Sequence, residues 1–108
     1  MSDTDYKDYT VLFVDDEDKT RKYFSRLFGE KFDILLAEDG VKALETFREN
    51  MDRIAVVVTD QRMPNMTGSQ FLEKVAELKP ACVRILSTAY SDIEAAVDAV
   101  NKGGIYQY

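Results

Sequence analysis

The sequence has no histidine and a single cysteine, Cys82. One cysteine excludes an internal disulfide, and without histidine the usual zinc-finger and catalytic-triad chemistries are excluded too. Long apolar stretches are also missing. The longest run, Ile54 to Val58, is five residues, against the ~20 that a membrane-spanning helix needs. Met1 to Thr10 is acidic and polar, unlike a secretory signal. Basic charge is in deficit: 14 Lys and Arg stand against 20 Asp and Glu, for a net charge of −6. Phosphate contacts need clustered Lys and Arg, so this balance argues against non-specific nucleic-acid binding. Internal repeats, low-complexity tracts and linkers are absent as well. The expectation is a water-soluble cytoplasmic domain.

What is present is enough for one compact fold: 108 residues, 45% hydrophobic and 31% charged. The charge is unevenly placed. Residues 1–18 hold seven acids and one base, Lys7, whereas residues 19–108 hold thirteen of each. Asp3, Asp5 and Asp8 read as a solvated acidic leader over residues 1–9, with the folded domain at residues 10–108. The block from Asp15 to Asp18 differs, because it directly follows an apolar strand pattern.

Short β-rich apolar runs occur at Val11–Val14, Ile34–Ala37, Ile54–Thr59, Val83–Ser87 and Ile105–Tyr108. Helical stripes lie between them. Tyr23, Phe24, Leu27 and Phe28 form the first, Val41, Leu44, Phe47 and Met51 the second, and Phe71, Leu72, Val75 and Leu78 the third. Ile93, Ala96, Val97 and Val100 form a fourth, with a capping-box start at Ser91 and Glu94 and a stop at Gly103. All four stripes read as core packing. The strict alternation of strand and helix predicts an α/β fold: a doubly wound, five-stranded parallel sheet with helices on both faces. Ile54–Val58 lacks polar alternation, as a central strand covered on both sides should.

In such a sheet, sites form at the carboxyl ends of the strands, near the switch point of the winding. Asp15 and Asp16 follow the first strand and Asp60 follows the third. A flavodoxin-like order, 2-1-3-4-5, makes these strands neighbours and brings the three carboxylates together. Two like charges ~4 Å apart repel by roughly 4 kcal/mol at an effective dielectric of ~20. Either a proton or a cation must relieve this, and oxygen ligands without His or Cys favour Mg²⁺ or Mn²⁺. An Asp carboxylate beside such an ion suits nucleophilic attack on phosphorus. Thr88, after the fourth strand, would bring a hydroxyl to the same edge. Taken singly these residues have ordinary roles: Asp15 or Asp16 as a helix cap, Asp60 or Thr88 in a turn.

Four blocks in order resemble the receiver domain of two-component response regulators. They are Val11-Leu-Phe-Val-Asp15-Asp16-Glu17, Asp60-Gln-Arg-Met-Pro64-Asn-Met-Thr-Gly68, Ile85-Leu-Ser-Thr88-Ala89 and Gly104-Ile-Tyr-Gln-Tyr108. The resemblance implies that Asp60 is the phosphoacceptor, taking a phosphoryl group from a histidine kinase or a phosphotransfer protein. It implies Mg²⁺ held by Asp16 directly, by Asp15 through water, by Asp60 and by the Arg62 backbone carbonyl. Thr88 would contact the phosphoryl group and Tyr108 would turn inward behind it, switching an output domain. The domain would then be a signalling module rather than an enzyme, without direct nucleic-acid or membrane contact. The first helix, Thr20 to Phe28, would be the kinase docking face.

The sequence departs from the family at its C-terminus. The family's Lys-Pro pair and fifth helix are missing, and Lys102 stands before the last strand instead. The expectation is a receiver domain cut short, with an output domain beyond residue 108 and a tendency to self-associate through uncovered sheet surface. Arg62 and Tyr90, each two residues beyond a site residue, are expected to flank the path of attacking water and tune phosphoryl lifetime. Two other readings compete. One is a pseudo-receiver that signals by protein contacts without phosphate. The other is a haloacid-dehalogenase-like phosphatase, because Asp16-Glu-Asp18-Lys-Thr20 matches D-x-D-x-T. There Asp16 would be the nucleophile and Asp18 the general acid, but Asp60 and Thr88 would have no role.

Overall fold

The computed structural model describes the backbone of residues 6–87 and 106–107, and the side chains of residues 9–87. The elements run β1 (Tyr6–Val14), α1 (Asp18–Phe28), β2 (Phe32–Ala37), α2 (Gly40–Glu49), β3 (Ile54–Asp60), α3 (Gly68–Leu78) and β4 (Val83–Ser87). A two-residue strand, β5 (Tyr106–Gln107), follows. The sheet order is β2-β1-β3-β4, with β5 alongside β4 at Ile85↔Tyr106 and Leu86↔Gln107. All pairings are parallel. The chain thus adopts the α/β flavodoxin-like arrangement expected. Four strands carry its body, and the expected fourth helix and Gly103 lie outside the described residues.

The core explains why β1 and β3 read as unbroken apolar runs. Successive side chains of a strand point to opposite faces. Leu12 and Val14 of β1 and Ile54 and Val57 of β3 join the cluster under α2 and α3, whereas Val11, Phe13 and Val58 face α1. Apolar side chains of both strands are buried on both faces, which is why polar alternation is missing from these runs.

Helix boundaries have local causes. The Asp39 carboxylate accepts the Lys42 N–H at 2.8 Å and starts α2. Thr67 and Gln70 form a reciprocal capping box at the start of α3, with bonds of 3.0 and 3.1 Å. Helix α1 is capped by Glu17 without a side-chain bond. Its first turn is held instead by Asp18, which pairs with Arg21 at 3.1 Å and Lys22 at 2.9 Å.

Three sequence expectations need correction. The first strand begins at Tyr6 rather than Val11, reaching into the segment read as leader. The stripe Tyr23, Phe24, Leu27, Phe28 is not core: α1 has no buried residue, and Tyr23 is 59% exposed. Phe24 alone packs inward, stacked on Phe13 with ring centroids 4.0 Å apart. On α2 the seated residues are Gly40, Ala43 and Phe47, while Val41 is exposed. The third stripe holds except at its end: Phe71, Leu72 and Val75 are fully buried, whereas Leu78 is exposed. Cys82 is a small core residue, and burial pushes its thiol pKa up.

Candidate functional site

Register brings the acids together. Val14 pairs with Thr59 across β1 and β3. Asp15 is therefore one step past β1 where Asp60 is the last residue of β3. Asp15, Asp16 and Asp60 each offer a carboxylate oxygen, all within 4.8 Å of one another. Asp15 and Asp60 are half-buried and Asp16 is exposed. The helix-cap and turn roles do not account for this meeting: Glu17, not Asp15 or Asp16, caps α1.

Both halves of the cluster are braced. On the β1 side, Asp15 N–H donates to the Ala37 carbonyl at 3.2 Å, and Glu17 N–H donates to Asp15 Oδ1 at 2.9 Å. Arg21 Nη1 donates to the Asp15 carbonyl at 2.8 Å. On the β3 side, Gln61 N–H donates to Asp60 Oδ1 at 2.9 Å. Gly68 N–H donates to the Gln61 carbonyl at 3.0 Å, and Ser69 donates to Gln61 Oε1 through both its N–H and its hydroxyl at 2.9 Å. The residue after Asp60 is thereby tied to the first turn of α3. Gly68 is required here by close approach, since a Cβ would collide with the Asp60 carbonyl. The loop between turns at Asn65, whose φ of 73° is left-handed; Asn tolerates that region better than most residues.

Crowding has an electrostatic signature. Burial first, and then the neighbouring Asp16 and Glu17 carboxylates, hold Asp15 above the usual carboxylate range, against the Glu17 amide and Arg21. Asp18 behaves oppositely. It is exposed, and its hydrogen bond and ion pair with Lys22, then Arg21, hold it below that range. Three hard oxygen donors without nitrogen or sulfur make a donor set for a small divalent cation. Bonds of ~2.1 Å to such an ion span about 4 Å between opposite ligands. Carboxylate oxygens within 4.8 Å of one another are close enough to face one such ion.

Among the other expected site residues, Arg62 lies exposed in the loop after β3. Thr88, Tyr90 and Tyr108 lie outside the described residues. Sequence reasoning missed Arg21, Gln61 and Ser69. Arg21 reads there as one more charge on a helix surface, and the Gln61–Ser69 contact crosses a loop of unpredictable course.

The family model for the response regulator receiver domain matches residues 11–108. The chain belongs to that family. Over its whole length the receiver domain is 39% identical to the hydrogenase transcriptional regulatory protein HoxA of Cupriavidus necator, of which it covers 21%. It superimposes on a response regulator receiver domain protein of Clostridium thermocellum with a TM-score of 0.87 at 28% identity, covering 93% of this chain and 79% of that one. It is also similar, at 30% identity and a TM-score of 0.80, to a CheX–CheY–BeF₃–Mg²⁺ complex of Borrelia burgdorferi, covering 88% of this chain and 72% of that one. The chain spans about a fifth of the length of the first curated relatives it matches. It is the receiver domain of a two-component response regulator, a signalling domain. No helix among the described residues is long and apolar enough to cross a membrane.

Proposed function

We propose that this receiver domain accepts a phosphoryl group on Asp60 from a histidine kinase, or from a phosphotransfer protein, with a divalent cation at the acidic cluster. The observation that carries this reading is the convergence of Asp15, Asp16 and Asp60 within 4.8 Å at the carboxyl ends of neighbouring strands. The reading gains support from the Mg²⁺ and BeF₃ named with the Borrelia neighbour.

An Asp60 carboxylate oxygen attacks phosphorus, the P–N bond to the kinase imidazole breaks, and the imidazole nitrogen keeps the electron pair. The product is an acyl phosphate. The donor is already activated, so the domain's task is alignment and charge neutralisation. The Gln61 amide fixes one Asp60 oxygen, and the Gly68 and Ser69 bonds fix Gln61. Asp16, Asp15 through water, Asp60 and the Arg62 carbonyl would hold Mg²⁺, or Mn²⁺, which would neutralise phosphoryl oxygens beside the acids. Thr88 would contact the phosphoryl group and Tyr108 would turn inward, biasing two packings of the domain. An output domain beyond residue 108 reads that bias in the cytoplasm. The phosphatase alternative is not favoured: Asp18 turns to Arg21 and Lys22 rather than joining Asp16.

The test is incubation with acetyl phosphate and MgCl₂, followed by intact-mass spectrometry. One added phosphoryl group is expected, lost with EDTA and lost in Asp60→Asn. A chain that stays unmodified with donor and Mg²⁺, while a known receiver domain is labelled beside it, would falsify the reading and favour the pseudo-receiver. Label retained in Asp60→Asn but lost in Asp16→Asn would point to phosphatase-like chemistry.

A further inference from the structure

Arg21 is the feature of this molecule that neither core packing nor phosphoryl chemistry explains. Helix α1 has no buried residue, yet the Arg21 side chain is only 18% exposed. It turns back toward β1 instead of reaching into solvent. Its planar fork makes two bonds of different kind: Nη1 to the Asp15 carbonyl at 2.8 Å, and Nη2 to Asp18 Oδ1 at 3.1 Å. Its own N–H donates to the Glu17 carbonyl at 3.1 Å. The segment it closes, residues 15–18, contains two of the three acids of the cluster.

We propose that Arg21 is a positioning residue for the divalent-cation site, holding the β1–α1 segment so that the Asp15 and Asp16 carboxylates face Asp60. This rests on the reading that the three acids hold such a cation. Arg21 touches the backbone of Asp15, not the cluster's carboxylate oxygens, so it acts by shaping the loop. The bracing bonds divide the labour. Ala37 holds the Asp15 N–H and Glu17 N–H orients the Asp15 carboxylate. Arg21 holds the Asp15 carbonyl and links it to the start of α1. Without that link, α1 and the end of β1 are joined through the loop itself and the Phe13–Phe24 stack.

Position and charge make opposite predictions here, which is what makes the idea testable. A guanidinium near the cluster repels an incoming cation. If Arg21 acted through charge alone, removing it would tighten cation binding. If it acts through position, removing it loosens the site despite the lost repulsion. Lysine keeps the charge but lacks the two-pronged fork, so it separates the two effects further.

The experiment is Mg²⁺ titration of the full chain by isothermal calorimetry, with melting curves for every variant. Arg21→Ala is expected to weaken Mg²⁺ by about 10-fold, the scale seen when a group supporting metal ligands is removed. Arg21→Lys is expected to fall between Arg21→Ala and the wild type. Asp18→Asn, which cuts one prong of the fork, is expected to weaken binding less than Arg21→Ala. Unchanged or tighter binding in Arg21→Ala overturns the proposal, even if its melting temperature drops, because that result marks a merely structural residue. If Arg21→Ala does not fold, Arg21→Lys decides: wild-type or tighter affinity overturns the proposal and weaker affinity supports it. A wild-type chain that binds no Mg²⁺ fails the site reading itself, and this inference with it. A wild-type chain that binds, with Arg21→Ala binding equally, fails this inference alone.

Discussion

Helices α2 and α3 seat Phe47, Phe71, Leu72 and Val75 against one face of the sheet with no surface left exposed. On the other face, α1 lays Phe24 over Phe13 and buries none of its own residues. The strands offer both faces similar apolar side chains, so the difference lies in the cover. The α2/α3 face is a packed core, where each lost methylene leaves a cavity. Among the described residues, α1 joins its face through Phe24, stacked on Phe13, and through polar bonds at the β1–α1 turn. The acidic site straddles the two: Asp60 is tied through Gln61 to α3, while Asp15 and Asp16 stand on the turn into α1.

Matched aromatic truncations test this contrast most strongly. Phe71→Ala should lose about 3–5 kcal/mol of unfolding free energy, the scale for a fully buried phenylalanine. Phe24→Ala should lose only about 1–2 kcal/mol, because it gives up part of that burial. Urea denaturation of both variants decides, and equal losses would break the comparison. Next in size is Gly68→Ala, where the added Cβ meets the Asp60 carbonyl and Leu86. It should cost about 1–3 kcal/mol, as overpacking does. It should also impair labelling of Asp60 by acetyl phosphate. Normal stability with normal labelling would show that α3 and Asp60 are less firmly tied than their contacts indicate.

A pH experiment sharpens the α1 side. An acid whose pKa is raised by folding is favoured in the folded chain when protonated. That contribution is present below the ordinary carboxylate pKa and is lost as pH rises through the folded value. Asp15→Asn removes the penalty of the charged form. In EDTA at neutral pH it should raise Tm by roughly 2–4 °C. The gain should shrink as the solution is acidified and wild-type Asp15 takes its own proton. A gain that persists unchanged in acid would rule out this origin. The smallest effect is expected at Leu27, which is exposed on α1. Leu27→Lys should change stability by no more than about 0.5 kcal/mol in the same denaturation assay. A larger loss would mean that the α1 stripe is held more tightly than its exposure implies.

The candidate site was largely legible in the sequence. Apolar runs marked where β1 and β3 end, and the flavodoxin-like order expected of the β-α alternation makes those strands neighbours, which brings the acids at their ends together. Other features were not legible for definable reasons. The stripe Tyr23, Phe24, Leu27, Phe28 has the spacing of a core face, but spacing says only which side of a helix is apolar. Whether that side is buried depends on what lies over it, and here α1 packs through Phe24. The Asp39 cap and the Thr67–Gln70 box were readable from residue type at the helix starts and were missed. Tyr6 to Tyr9 escaped because polar residues interrupt the strand pattern, and strand pairing with Phe32 starts across a register shift.

By itself, the sequence determined the class of fold, the three acids and the chemistry available to them: oxygen donors, no imidazole and a single thiol. These follow from local pattern and side-chain type, which the chain carries wherever it is placed. Only the tertiary structure decided that Arg21 turns back onto the Asp15 carbonyl, that Gln61 is tied to Ser69, and that, among the described residues, α2 and α3 bury side chains of their own against the sheet while α1 buries none. Each of these depends on which neighbours a side chain meets across space, and burial and hydrogen bonding are properties of those neighbours as much as of the residue.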